Sequence, residues 1–425
     1  MLFSKRKVSP QSPNPARTPD VVVAMEPPPR AVAEAAAPPR ARAAEPLPVA
    51  PQIHSAPITP LEEAGAMLTI DCGAIVANWR ILGSRAAPAD CAAVVKADAY
   101  GCGLEPVATA LAAAGCETFL VAHLAEARRL RAALPSVVIY VLNGIVPGSA
   151  HLFAEIDARP VIGNLGELAE WDAFRSVHGW SGGAALHFDT GMNRLGLGPE
   201  EAPGLAARMA AMPNHGITLV MSHFACADEP DHPLNAKQIR DFRDIRVMFR
   251  GIPASLANSS GIFLESDAHF DLVRPGIALY GSNPTTRANP MRPVVELKAR
   301  LLQARLVPQG TSVGYGATWT AGRMSRIAIL SIGYADGYSR PIGAADGRPG
   351  GEAVVHGVRC PIVGRVSMDL IAVDITGLRK DVQRGDWITL LGDGIGVDEM
   401  AGWARTISYD VLTRLGRRFH RVWKS

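Results

Sequence analysis

The feature that most constrains this chain is a rhythm of short apolar runs. Between residues 67 and 293 eight of them recur: Ala92–Lys96, Thr118–Ala122, Val137–Leu142, Arg159–Gly163, Ala184–Phe188, Ile217–His223, Ala254–Asn258 and Leu272–Tyr280. Amphipathic stretches separate several of these runs. Leu104/Val107/Leu111, Leu124/Ala127/Leu130/Leu134, Leu168/Trp171/Phe174 and Ile239/Phe242/Ile245/Phe249 each repeat an apolar residue every three to four positions. That spacing buries one face of a helix. Strands that alternate with helices lie parallel, because each helix returns the chain to the same edge, and eight such units close into a (β/α)8 TIM-type barrel. An open doubly wound sheet is the competing arrangement. It lacks support, since no GxGxxG follows a strand and Gly101–Gly103 breaks off at Pro106.

Polar residues fall where a barrel places its chemistry. Lys96, Asn143, Asn164, Asp189, His223, Asn258 and Arg274 each stand at or just after a strand end, and those ends converge on one face. Beyond Pro293 the period changes to two. Val295, Leu297, Ala299 and Leu301 alternate with polar residues, and Arg326–Ile332, Ala353–Val366, Ile371–Ile375 and Trp387–Leu391 read as further strands. This predicts a C-terminal, mainly antiparallel β domain over 294–425, closed by a helical stretch with Leu412, Leu415 and Phe419.

The first 66 residues are a different polymer. They hold 14 of the 33 prolines but only Gly65 of the 41 glycines, and Phe3 is their single aromatic. Such a segment buries too little to offset its ordering entropy, so a Pro/Ala-rich disordered tail is expected over 1–66, with the barrel over 67–293. No apolar stretch follows Lys5–Arg6–Lys7 as a signal peptide requires, and six acidic residues argue against an organellar transit peptide. An inert tail, with Met67 as the working initiator, is the plainer reading. A net charge of +3 carries no footprint for nucleic acid, and no apolar run is long enough to span a bilayer. Six scattered cysteines without a CxxC pair point to a reducing compartment, hence a cytoplasmic protein.

Two features carry chemistry. In Val94–Val95–Lys96–Ala97–Asp98–Ala99–Tyr100–Gly101 a lysine ends an apolar strand, where desolvation lowers its pKa toward a usable amine. Such an amine forms a Schiff base with a carbonyl; a structural lysine paired with Asp98 is the bland alternative. Asn258–Ser259–Ser260–Gly261 and Arg274–Pro275–Gly276–Ile277 end strands seven and eight, the frequent phosphate site of barrels. Two turns of small residues are the alternative there. A lysine and a phosphate site on one rim would both serve pyridoxal phosphate. His223, on the apolar run Leu219–Met221, reads alone as a core histidine, and His223…Asp228…Asp231–His232 matches no metal spacing, so no metal is expected.

These motifs, taken together, resemble the alanine racemases, fold-type III pyridoxal-phosphate enzymes. The resemblance is carried by VVKADAYGCG (94–103), DTGMNRLG (189–196), MSHF (221–224), NSSG (258–261), DLVRPGIALYG (271–281), SVGYGATW (312–319), SIGYADGYSR (331–340), GRVSMDL (364–370) and TISYDVL (406–412). They run colinearly from about Met67 to the end. The resemblance implies interconversion of L- and D-alanine, supplying D-alanine for peptidoglycan, in a head-to-tail homodimer. It implies that Lys96 holds pyridoxal 5'-phosphate and acts as base on one face of the substrate, with Tyr315 of the partner subunit as base on the other. Tyr100, Ser259, Gly276, Ile277 and Tyr409 would hold the phosphate, with Asn258 beside them. Arg274 would face the pyridine nitrogen, and His223 would pack by the ring and bond Tyr315. Arg194 and the Met368 backbone would meet the cofactor phenolate and substrate carboxylate, while Tyr334, Asp228 and Arg340 narrow the entrance.

The residue types suit the reaction, which removes a proton from one face of Cα and returns it on the other. An arginine at the pyridine nitrogen, where an aminotransferase or a decarboxylase of this fold would use an acid, favours racemisation. Racemisation of another amino acid, such as serine or a basic one, is the same-fold alternative. Small pyridoxal-phosphate-binding barrel proteins lack the β domain and its tyrosine. Three positions depart from the family pattern. His187 stands where a carbamylated lysine commonly holds the arginine, so no carbamate is expected, with an anion or water filling in. Asp98 replaces the usual Asn and adds a charge near Lys96, and Cys102 replaces a frequent His.

Overall fold

A computed structural model describes residues 59–264 and 266–425. The expected tail lies outside the described residues up to position 58. Its last eight residues are inside them and are ordered. Ala64 and Ala66 are buried, and Arg300 donates from Nε to Ala64 O at 2.9 Å and from Nη2 to Leu61 O at 2.8 Å. The tail boundary at 66 is therefore corrected: strand β1 (Ala66–Asp71) already spans it.

The barrel strands follow in order. They are β2 (Asp90–Cys91), β3 (Ala93–Val94), β4 (Thr118–Val121), β5 (Val138–Val141), β6 (Arg159–Ile162), β7 (Ala184–His187), β8 (Ile217–Met221), β9 (Ala254–Ser255) and β10 (Leu272–Val273). Strands β3 to β9 pair in sequence, all parallel. The first expected strand, Ala92–Lys96, shortens to β3, and β2 just before it is a separate strand that bonds to the opposite neighbour. β2 pairs with β10 while β3 pairs with β4, and Val94 N donates to Pro275 O at 2.9 Å. Arg274 N donates to Ala257 O at 2.9 Å, joining β10 to the chain leaving β9 and closing the ring. The last run is also shorter than its apolar pattern suggested, since Ile277–Tyr280 is a 3-10 turn.

The predicted helix faces are the buried ones. Leu104, Val107 and Leu111 are buried on Leu104–Ala113, and Phe242 and Ile245 on Pro233–Met248. No helix among the described residues is long and apolar enough to cross a membrane.

The second domain is built from β11 (Val295–Val307), β12 (Ser325–Leu330), β13 (Glu352–Val355), β14 (Val358–Val363), β15 (Ile371–Asp374), β16 (Trp387–Leu391) and β17 (His420–Lys424). β11 pairs with both β12 and β16, so β11–β12–β15–β14–β13–β16 close on themselves as an antiparallel barrel. Burial along β11 alternates from Val295 to Leu301, as the two-residue period requires. Three expectations change here. Ala353–Val366 is a hairpin rather than one strand, turning at His356 and Gly357, both with positive φ as a tight hairpin turn demands. The closing helix Ser408–Arg414 is followed by β17, which pairs parallel with β1. β1 itself pairs antiparallel with β11, so residues 66–71 belong to the β domain's sheet, not to the barrel.

Candidate active site

A cavity of about 430 Å³ opens at the C-terminal ends of the barrel strands. Val94, Leu120, Leu142, Val161 and Met221 form its apolar wall. Lys96, Tyr100, Arg194, His223, Asn258, Ser259, Arg274, Gly276, Ile277 and Tyr409, all named from the sequence, line it together with His187.

Lys96 follows β3 at the start of an unusual turn. Ala97, Asp98, Ala99 and Tyr100 all have φ between 53° and 56°, a left-handed turn of non-glycine residues that ends on Gly101. Each such residue costs roughly 1–2 kcal/mol, so the surroundings must hold it. Glu126 accepts from Ala97 N at 2.6 Å and also from Ala122 N and His123 N. Asp98 Oδ1 accepts from Leu104 N at 3.1 Å and from Arg129 Nη2 at 2.7 Å. The left-handed turn thus throws Asp98 outward to Arg129, correcting the expectation of a charge beside Lys96. Burial and the Arg194 charge push the Lys96 amine down, against an opposing pull from Glu126.

At the turn's far end the Tyr100 ring stacks on Tyr280, centroids 4.7 Å apart, and lies 6.0 Å from the Tyr409 ring. A methyl group on Gly276 would stand 2.4 Å from the Tyr100 hydroxyl, so this floor must be glycine. Ser259 Oγ accepts from Gly276 N at 2.8 Å and from Ala278 N at 3.3 Å, which leaves its own hydrogen to donate into the cavity. Burial raises both phenols, Tyr409 to about 12, so both stay protonated as donors. Two phenols, a hydroxyl and a bare glycine backbone form a cradle fit for a phosphate.

The opposite wall is cationic and lacks a carboxylate. Arg274 is buried and donates to Ser255 Oγ, to Ser222 O at 2.6 Å and to His223 Nδ1 at 3.4 Å. Burial lowers it to about 9, so it remains charged at neutral pH. His223 is pushed well down by burial and by Arg274, and is neutral. Because arginine only donates, Nδ1 accepts and the His223 proton sits on Nε2. His187 is lowered to about 4 by burial and the Arg274 charge.

Not every strand-end residue serves the cavity. Asn164 caps the helix Leu165–His178 through Glu167 N, and Asp189 holds its own loop by accepting from Gly191 N and Met192 N. Tyr315, Met368 and Tyr334 do not line the cavity of their own chain. They are 72%, 54% and 44% exposed on the β domain. Ala335 N donates to Met368 O at 3.0 Å, and the Arg365 side chain lies against Gly316, so three loops share one surface. Glu126 escaped the sequence reading. Its only sign was a Glu at the third position of a helix, without the Ser or Thr that completes a capping box. Among the described residues no cluster of His, Cys, Asp and Glu is arranged to hold a metal.

Fold and cavity together define a barrel enzyme with an amine and an anion cradle on one rim. Family models described as "Alanine racemase, N-terminal domain" and "Alanine racemase, C-terminal domain" match residues 70–284 and 294–423, and the chain belongs to the alanine racemase family. It is 53% identical over 367 residues to an alanine racemase of Methylobacterium nodulans, covering 86% of this chain and 97% of that one. It is 46% identical to the alanine racemase of Rhizobium meliloti, over 85% of this chain and 97% of that one. Among solved structures, Bartonella henselae alanine racemase with covalently bound pyridoxal phosphate aligns with a TM-score of 0.80 at 39% identity, covering 85% of this chain and all of that one.

Proposed function

We propose that this protein interconverts L- and D-alanine with pyridoxal 5'-phosphate, in a cytoplasmic homodimer whose sites each draw residues from both subunits, and that it supplies D-alanine for peptidoglycan. The observation that carries this reading is Lys96 in one cavity with Arg274, whose partners Ser255, Ser222 and His223 are all neutral.

The residues fit the cofactor. Tyr100 and Tyr409 present hydroxyls that make no hydrogen bond to another described residue, the Ser259 hydrogen is free, and Gly276 leaves room where a side chain would not. These would hold the phosphate, with Asn258 and Ile277 beside them. Pyridoxal phosphate, when bound, supplies the electron sink that lets the substrate Cα release its proton. Lys96, with its amine lowered toward neutrality, takes and returns that proton on one face. The exposed position of Tyr315 suits a base offered to a second copy's cavity, on the opposite face. Arg274 would face the ring nitrogen as a donor that keeps its own proton, which would limit the sink and favour reprotonation at Cα over transamination. His223, with its proton on Nε2, lines the same cavity and would pack by the ring. Arg194 would meet the substrate carboxylate, with Met368 and Tyr334 narrowing the approach from the partner subunit. The six free thiols accord with a reducing cytoplasm.

A chiral assay of all twenty amino acids with added cofactor tests the reading. Alanine should be racemised fastest in both directions. Faster turnover of serine or a basic amino acid would overturn the substrate assignment.

A further inference from the structure

The elements that carry Tyr100 and Tyr409 come from different domains, and one side chain spans them. Arg421, on β17, donates from Nη1 to Gly101 O at 2.7 Å. Its other nitrogen, Nη2, donates to Leu415 O at 3.1 Å and Gly416 O at 2.9 Å. Gly101 closes the left-handed turn that begins at Lys96 and carries Tyr100, while Leu415 and Gly416 follow the helix Ser408–Arg414 that carries Tyr409. The two backbones meet with nothing between them, since a methyl group on Gly101 would lie 2.3 Å from Leu412 O. Trp423, two residues along the same strand, donates from Nε1 to Cys102 O at 2.7 Å.

We infer that Arg421 is a positioning residue for the phosphate end of the site: its guanidinium holds the two chain segments at the spacing that brings both tyrosine hydroxyls to one phosphate. The inference rests on the reading above that Tyr100 and Tyr409 hold that phosphate. Anchoring the strand itself does not need this guanidinium. β17 is already paired with β1 over five residues, Met67 to Asp71. All three hydrogen bonds of the Arg421 side chain instead leave its strand and reach chain segments adjoining the site. A fixed planar fork suits that task, because its nitrogens reach carbonyls on two sides at once, whereas a lysine ammonium is a single point.

The test measures binding of pyridoxal phosphate and of pyridoxal, which lacks the phosphate, to the full-length cofactor-free protein, by absorbance titration. Arg421→Met keeps the apolar stem. It should weaken pyridoxal phosphate about tenfold and pyridoxal less than twofold, because misplacing donors costs only the ligand that uses them. Arg421→Lys should recover part of the loss, and it carries the test if the Met variant does not fold. Tyr409→Phe is the reference. If Tyr409→Phe keeps the wild-type preference for the phosphate ester, the phosphate assignment itself is wrong. If Tyr409→Phe loses that preference while both Arg421 variants retain it, the positioning role of Arg421 is overturned.

Discussion

Glu126 Oε1 lies 2.6 Å from the backbone nitrogen of Ala97, the residue after Lys96. The same carboxylate accepts from Ala122 N at 2.8 Å and His123 N at 3.2 Å, so it ties the lysine turn to the end of β4. A glutamine offers one acceptor oxygen where the carboxylate offers two, and it turns donor hydrogens toward backbone donors. Glu126→Gln is therefore expected to lower turnover about tenfold by loosening the turn. It also removes the charge that opposes the depression of the Lys96 pKa. The amine should then be neutral at still lower pH, and the pH midpoint for cofactor capture by the cofactor-free protein should move to acid. Stopped-flow absorbance across pH reads this directly, and an unmoved or alkaline midpoint would contradict it.

His187 makes a pH-dependent contribution to stability. Its pKa falls from 6.5 to about 4 on folding, chiefly through burial and then the Arg274 charge, with Asp189 pulling the other way. Between those values the unfolded chain takes up a proton that the folded chain refuses. Stability is thus intact above pH 6.5 and falls as pH drops toward 4, by about 3 kcal/mol at full effect. His187→Gln should flatten that part of the profile in urea midpoints of the cofactor-free protein. A variant as acid-sensitive as wild type through this window would show that another group is responsible.

The same residue bears on carbamylation. A neutral imidazole cannot carry the carboxyl group that a lysine takes up in relatives. Activity is expected to be unchanged when bicarbonate is removed, and native mass spectrometry should find no carboxylated side chain. An adduct mapped to the peptide around Arg194 would refute this.

Much of this architecture was legible in the sequence because its signals are local. Each barrel strand is a short apolar run, and parallel strands put their polar end residues on one rim, which is why Lys96, Ser259, Arg274 and Gly276 could be named together. Besides the two-residue β2, the strands that were missed, β1 and β17, pair with each other across nearly the whole chain, Met67 with His420, and His420–Lys424 is too short and charged to announce a strand. Asp98 was misread because adjacency to Lys96 suggested contact, whereas four residues of positive φ carry it away to Arg129. Glu126 and Arg421 act on backbone groups, which leave no trace in a motif.

The residues before Met67 contribute to the second domain. Arg300 N donates to Gly65 O at 2.8 Å, its side chain donates to Leu61 O and Ala64 O, and His420 Nδ1 lies 2.9 Å from Thr59 O. At about 1 kcal/mol for each of these four bonds, a chain starting at Met67 should lose about 4 kcal/mol relative to one starting at Thr59. Differential scanning calorimetry should show a melting temperature lower by several degrees. Equal melting temperatures would mean that Arg300 and His420 find water as good a partner.

Shared sites make a quantitative prediction about mixed subunits. Lys96 lines the cavity of its own chain, while Tyr315 is 72% exposed on the β domain and absent from that cavity. If each site takes its lysine from one subunit and its tyrosine from the other, Lys96→Ala and Tyr315→Phe homodimers each have two defective sites. A mixed dimer has one site with both defects and one with neither. Random mixing makes half the dimers mixed, so activity should return to about a quarter of wild type after subunit exchange. The recovered activity should racemise both enantiomers, because the restored site holds a base on each face. No recovery after verified exchange would place both residues in a site within one chain, and the exposed Tyr315 would then need another role.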